Sequence, residues 1–298
     1  MFCPASFRRA VVEHIAHPPA QKLKDVADTM HNTATEIMKN KKEALENGTL
    51  DSGIAAGKDM MTGLLKRNLA SAPQDRMTEE ELLCQVNGLL FAAHDTTSSA
   101  LSCTINLLAE HQEVQAKLRD EIRGAYRSHG KDLDYDQLNS LPYLDAVCRE
   151  SLRIYAPAPL VVRIAAKDWT LPLYYPIKSK DGKLMSSTIN VSKGTAVYIS
   201  FRAANRDERT WGSDAGEFRP DRWLKPLLES VSDARMPSVY SSIDDPFNLI
   251  SNFNFDLSEE QIKWKAAGVI KPHIQYPDST TSKEPMMPMK VTLLSDME

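Results

Sequence analysis

The chain has 298 residues, 42% of them hydrophobic, with 36 basic and 40 acidic side chains and a net charge of -4. That length suits about two ordinary domains or one large one with a real core, and the balanced charge gives no electrostatic case for nucleic acid. Four cysteines at 3, 84, 103 and 148 show no CxxC spacing and no disulfide framework, which fits a reducing compartment.

The opening, "MFCPASFRRAVVEHIAHPPA", holds no apolar run long enough for a signal peptide or membrane anchor. Residues 21–47 read as a helix, with Leu23, Val26, Met30, Ile37 and Met38 on a buried stripe and Gly48 ending it. A shorter helix is expected over residues 58–70. Thr78 and Glu81 form a capping box. From there a long helix runs over residues 79–109, roughly 45 Å at 1.5 Å per residue, too polar at its centre for a membrane span. Val114, Leu118 and Ile122 mark another helix, supported by Glu113 and Lys117 one turn apart. Pro142 suits a helix start, and Pro157 closes the helix over residues 143–156. Residues 169–201 are rich in β-branched and aromatic side chains, with turns at Asp181-Gly182 and Gly194. From Lys225 onward the chain reads as loop, with short strands expected only near residues 253–257 and 289–294. The fold class expected is mainly α with a small β region.

Chemistry concentrates in three places. The long helix carries "AAHDTT", so a His, a carboxylate and two hydroxyls interrupt its apolar centre. Such groups are costly to bury unless they find partners. The structural reading is that the threonines bond back to carbonyls one turn earlier and bend the helix. The functional reading is a helix bent over a ligand, with Asp95 and Thr96 placed to deliver protons. Second, Glu150 and Arg153 lie one turn apart on a helix that also carries Leu144, Val147, Cys148 and Leu152. Exposed pairs of this kind are common and weak, whereas a buried Glu–Arg pair wants a further donor. Third, "FRPDRW" places Arg222 where a guanidinium can supply that donor.

In this order the three motifs resemble those of the cytochrome P450 family, most closely its fungal members. "AAHDTT" resembles the oxygen-activating stretch of the family's long I helix, "ESLR" its K-helix E-x-x-R, and "FRPDRW" the motif whose Arg completes a Glu–Arg–Arg core. The resemblance covers residues 20–240 and resumes near Phe253. It implies a partial cytochrome P450 fold in a single domain, from about helix G to the C-terminal strands. It also implies haem as cofactor, a small apolar organic substrate, NADPH-cytochrome P450 reductase as electron donor and the endoplasmic reticulum membrane as the seat of intact members. This chain as given is expected in the cytoplasm. By resemblance, Asp95 and Thr96 are the proton-relay pair, with Ala93 and Thr97 beside them at the cofactor. Arg163 reaches a haem propionate, and Glu150, Arg153 and Arg222 are the structural triad. Ala93 departs from the pattern, because Gly is usual there and a methyl can crowd the oxygen site.

A larger departure lies further on. The family's iron is held by a Cys thiolate that favours O–O cleavage, in a glycine-rich loop following F-x-P-x-R. Residues 223–298 contain no Cys and one glycine, Gly268. The family pattern stops near Tyr240 and returns near Phe253, so the Cys loop and most of the helix behind it are expected to be missing at the junction over residues 241–252. The front of the family fold is absent as well, which reads as a truncated or mis-spliced product. Two functions stay open: a haem-dependent monooxygenase that is inactive as given (a pseudoenzyme), and a non-catalytic fragment that acts as an interaction protein or an unstable product.

Overall fold

In the computed structural model the described residues are 5–49, 60–130, 133–180, 182–233 and 252–294. The expected junction over residues 241–252 falls almost wholly outside them, as do the first two residues of the helix expected over 58–70. The chain forms two compact units that meet within one helix, the first ending at His94 and the second beginning at Asp95.

The first unit is helical. α1 spans Ala5–His14 and α2 spans Pro18–Glu46. Pro18 opens α2 at a position where a missing N–H costs nothing. Gly48, in the left-handed region at φ 66°, closes it by turning the Thr49 N–H onto Ala44 O at 3.0 Å. α3 spans Met60–Ala70, a 3-10 turn spans Pro73–Asp75, and α4 spans Glu79–Glu110. The capping box is formed: the Thr78 N–H donates to Glu81 at 2.8 Å, and the Glu81 N–H donates to Thr78 Oγ1 at 3.3 Å. The core of this unit is Met38, Leu65 and Leu82. The stripe expected on α2 is therefore buried only in its second half. α1 meets α2 through polar contacts such as Arg9–Asp28 at 2.9 Å, and Leu23 stays 71% exposed.

The second unit is built on the end of α4, α5 (Gln112–His129), α6 (Tyr135–Asn139) and α7 (Pro142–Ile154). Leu107, Leu108, Leu118, Ile122, Leu144 and Val147 make its centre, the positions at helical spacing that the sequence marks as apolar. Glu121 on α5 accepts the Tyr143 and Leu144 N–H groups at 2.9 and 2.8 Å. A carboxylate thus satisfies the free donors at the start of α7 and complements its dipole. α8 (Phe201–Ala204), α9 (Glu208–Trp211), a 3-10 turn over Pro220–Leu224 and α10 (Glu229–Asp233) follow the first strands.

Among the described residues, eight strands form four antiparallel pairs. β1 (Leu160–Ile164) pairs with β4 (Ala196–Ser200), and β2 (Trp169–Lys178) pairs with β3 (Met185–Val191). β5 (Phe253–Leu257) pairs with β8 (Met289–Leu293). Gln115, fully buried on α5, donates to Phe255 O and accepts from the Phe255 N–H, both at 3.0 Å, and so fixes β5 to the helical core. β6 (Gln261–Ala267) and β7 (Val269–Gln275) form a hairpin about Gly268, at φ 85°. This hairpin is a correction to the reading of the tail as loop with strands only at its two ends. Its alternation, Ile262, Trp264 and Ala266 against Ile270 and Ile274, is the period of a half-buried strand, and the glycine between the runs marks the turn.

Candidate functional site

Glu150 sits on the core side of α7 with no exposure. Its Oε1 accepts from Arg153 Nη2 at 2.8 Å and from the Arg219 backbone N–H at 2.9 Å. Its Oε2 accepts from Arg153 Nε at 2.8 Å and from the Trp223 indole N–H at 2.9 Å. Four donors around one carboxylate use all its in-plane capacity. Arg153 is as fully engaged. Beyond its two bonds to Glu150 it donates to the carbonyls of Asn205, Ala215 and Glu217 at 2.7, 2.6 and 2.9 Å. All five guanidinium N–H groups therefore have acceptors, and the group also lies 5.1 Å over the Trp211 ring. A one-turn spacing on α7 thus fastens the irregular segment from Asn205 to Trp223 onto the helix.

Arg222 joins this cluster more loosely than the sequence implies. Its Nε lies 3.5 Å from Glu150 Oε1 without a hydrogen bond. Its firm partners are Asp214, at 3.0 Å to the side chain and 3.1 Å to the carbonyl, and Trp211 O at 3.2 Å. The Arg222 guanidinium holds the Asp214 carboxyl below its ordinary range. The donors that the sequence reading missed are the Trp223 indole and the Arg219 N–H. Trp223 is visible as the last letter of "FRPDRW", but nothing in spacing alone aims its ring at Glu150.

On α4, Asp95 is half-buried and Thr97 exposed; Thr96 is half-buried, and Ala93 is exposed in the last turn of the first unit. Back-bonding of hydroxyls to carbonyls one turn earlier occurs just beyond, at Ser102 (2.8 Å to Ser98 O) and Thr104 (2.9 Å to Ala100 O). Asp95 Oδ1 has a cation beside it, Lys271 Nζ of β7 at 3.0 Å. One turn on, the buried Ser99 hydroxyl donates to Ile270 O at 2.5 Å. A lone lysine in "GVIKPHI" carries no sequence signal for this contact. Arg163 lies exposed on β1, its Nη1 donating to Val162 O at 3.1 Å. It stands at the rim of an apolar groove of about 380 Å3 lined by Ile164, Trp169, Leu171, Val197 and Ile199.

The chain's similarity to known proteins gives its family. The cytochrome P450 family model matches residues 2–237, and the chain belongs to the cytochrome P450 family. It is 40% identical over 309 residues to cytochrome P450 monooxygenase 91 of Postia placenta, covering 96% of this chain and 56% of the relative. It is 39% identical over 315 residues to ganoderic acid synthetase CYP5150L8 of Ganoderma lucidum, covering 97% and 56%. The crystal structure of a cytochrome P450 (CYP102L1) aligns with a TM-score of 0.61 at 18% identity, over 94% of this chain and 59% of that one. The chain thus carries a partial P450 fold and spans a little over half the length of these curated relatives.

Haem is the cofactor this family implies, and the donor set here does not fit its thiolate form. No Cys lies among residues 223–298. Among the described residues, Cys103 is buried on α4, and burial pushes its thiol up to about 12. Burial, and then Asp145, push the Cys148 thiol on α7 up to about 12 as well. A thiolate is the ligating form, and both sites oppose it. Cys84 is exposed but stands nine residues before Ala93, about 13 Å along the helix axis. Among the described residues no helix is long and apolar enough to cross a membrane.

Proposed function

We propose that this chain is a monooxygenase-family protein that lacks its iron ligand and does not oxidise substrate as given. The observation that carries the reading is the absence of Cys from residues 223–298, although the closing segment resumes at Phe253. Two further facts support it. The family model match stops at residue 237. The alignment to the first relative runs to 309 residues against 298 in the whole chain, so that relative carries at least 11 residues for which this chain has no counterpart.

With the ligand restored, the function is haem-dependent oxidation of a small apolar organic substrate with dioxygen, fed by electrons from NADPH-cytochrome P450 reductase. In that protein Asp95 and Thr96 would hold and pass protons, Arg163 would hold a propionate, and Ala93 and Thr97 would flank the cofactor. Glu150, Arg153 and Arg222 keep the fold in register and touch no substrate. The other reading, a non-catalytic interaction protein, draws its support from the apolar side chains left exposed on β1 and β4, Ile164 and Tyr198 among them.

The reduced, CO-bound absorption spectrum of the purified chain with added haemin tests the proposal. No thiolate-type Soret band is expected. A band at the thiolate position overturns it and directs attention to Cys84, Cys103 and Cys148. The transcript between the codons for Tyr240 and Phe253 gives an independent answer, since an in-frame Cys loop there restores the active enzyme.

A further inference from the structure

β5 has two backbone edges, and α5 covers one of them. In an antiparallel pair alternate residues turn their N–H and C=O groups toward the partner strand and away from it. Asn252 faces β8, its carbonyl accepting the Leu294 N–H at 2.9 Å, so Phe253 and Phe255 turn theirs away. Among the described residues no third strand meets that edge. Gln112, Gln115 and Arg119 meet it instead, three side chains at helical spacing on one face of α5. The Gln115 carboxamide donates to Phe255 O and accepts from the Phe255 N–H, each at 3.0 Å, so one amide side chain offers the donor and the acceptor that a neighbouring strand would. Gln112 Nε2 adds a second donor to Phe255 O at 2.8 Å. Arg119 Nη2 donates to Phe253 O at 3.2 Å and braces Gln115 Oε1 at 2.7 Å. Two side chains of the strand are gripped as well: Phe255, 6% exposed, enters the core, and Asn254 Oδ1 accepts from Arg119 at 3.0 Å. A second attachment is of the same kind, since the Ile270 N–H donates to Pro157 O at 3.0 Å. Each of these attachments ties residues 252–294 to residues 112–157 without help from the junction.

We infer that the face of α5 carrying Gln112, Gln115 and Arg119 is a strand-binding site, and that the closing segment over residues 252–294 occupies it as a peptide ligand: it docks through its backbone and stays docked when the chain is cut between residues 240 and 252. In strand addition main-chain hydrogen bonds supply the affinity and alternate side chains the specificity; here a helix takes the place of the sheet edge. A buried N–H that loses its acceptor carries its full desolvation cost, and Gln115, with no exposure, is the acceptor for Phe255. Docking therefore turns on Gln115. The inference goes beyond the proposed function and holds with or without a Cys loop in the junction.

The test uses the full chain with a site for a sequence-specific protease placed within residues 241–251, cut while folded and run on size exclusion over a dilution series. The two pieces are expected to elute together, with slow hydrogen exchange at the Phe255 amide before and after the cut. Gln115→Leu keeps much of the volume and removes both bonds to Phe255. Its two pieces are expected to separate at a concentration about ten- to a hundredfold higher than those of the chain with Gln115. Far-UV circular dichroism of the uncut variant shows whether its helices still form. If Gln115→Leu does not fold, Arg119→Met serves, with about a three- to tenfold shift expected from loss of the Phe253 contact. Separation of the pieces on cutting the chain with Gln115 and Arg119 in place overturns the inference. So does a folded variant that holds together as tightly as that chain, since Phe255 and its apolar neighbours would then account for the docking without the backbone bonds.

Discussion

Replacing Arg153 by Met is expected to destabilise this protein more than any other single change in the Glu150 cluster. Arg153 is 3% exposed and makes five hydrogen bonds, two to Glu150 and three to the carbonyls of Asn205, Ala215 and Glu217. Met keeps much of the volume but strips the cation from a carboxylate with no exposure. Breaking a buried pair by removing one partner costs about 3–5 kcal/mol, against a typical total stability of about 5–15 kcal/mol. Arg222→Ala is a milder change. Arg222 Nε makes no hydrogen bond to Glu150, and its main partner, Asp214, is partly exposed. A lost hydrogen bond to a charged group is worth about 1.5–3 kcal/mol, and solvent around Asp214 places this one near the low end. The order expected in urea denaturation, followed by far-UV circular dichroism, is Arg153→Met well above Arg222→Ala. If Arg153→Met does not fold, Arg153→Lys serves, since it keeps the charge but offers three donors in place of a planar fork. An Arg222→Ala loss equal to or above that of Arg153→Lys would refute this account of where the carboxylate gets its compensation.

Trp223→Phe removes one donor from Glu150 and is expected to cost about 1.5–3 kcal/mol, read from the same denaturation curves. Among the cysteines at 84, 103 and 148, a thiol reagent at pH 8 is expected to label Cys84 in the native protein, with Cys103 and Cys148 labelled only after unfolding. Their thiols, pushed up to about 12, are protonated, with Cys103 buried and Cys148 half-buried; fast native labelling at either, mapped by mass spectrometry, contradicts the packing described. Asp214 and Asp207 are held below the ordinary carboxylate value of 3.8, by hydrogen bonds from Arg222 and Arg209 first. Each contributes stability that is present in full above that value and lost as pH falls through the lower folded one. The urea midpoint is therefore expected to fall below about pH 4, and less steeply in Arg222→Ala, where Asp214 has lost its cation.

Much of this was legible in the residues. The helices follow from apolar spacing and from their stops: Pro18 and Pro142 at starts, Gly48 at an end and the Thr78–Glu81 box before α4. The Glu150–Arg153 pair is a one-turn spacing on a helix whose other positions are apolar, which is enough to predict burial and the need for donors. The identity of those donors is not local. Three of the atoms nearest the pair are backbone carbonyls between Asn205 and Glu217, and a carbonyl carries no residue name for a sequence to show. The same holds at Asp95. Its partner Lys271 is 176 residues away, in a stretch whose sequence reads as loop, so no spacing rule reaches it. Leu23 erred in the opposite direction, because a helical stripe predicts a buried face only where another element arrives to cover it.

The two clusters differ in what they depend on. The Glu150 network closes on itself. Glu150 and Arg153 find all their partners among residues 150–223, and neither needs a ligand to be satisfied. None of these partners lies beyond Trp223, and burial makes loss of either member of the Glu150–Arg153 pair expensive. Asp95 is in the other situation: it is half-exposed, and such a carboxylate is stabilised by whatever cation comes within reach. β7 supplies Lys271. The part of the molecule that holds the fold is thus closed on itself, while Asp95 on α4 is tied to a strand 176 residues away.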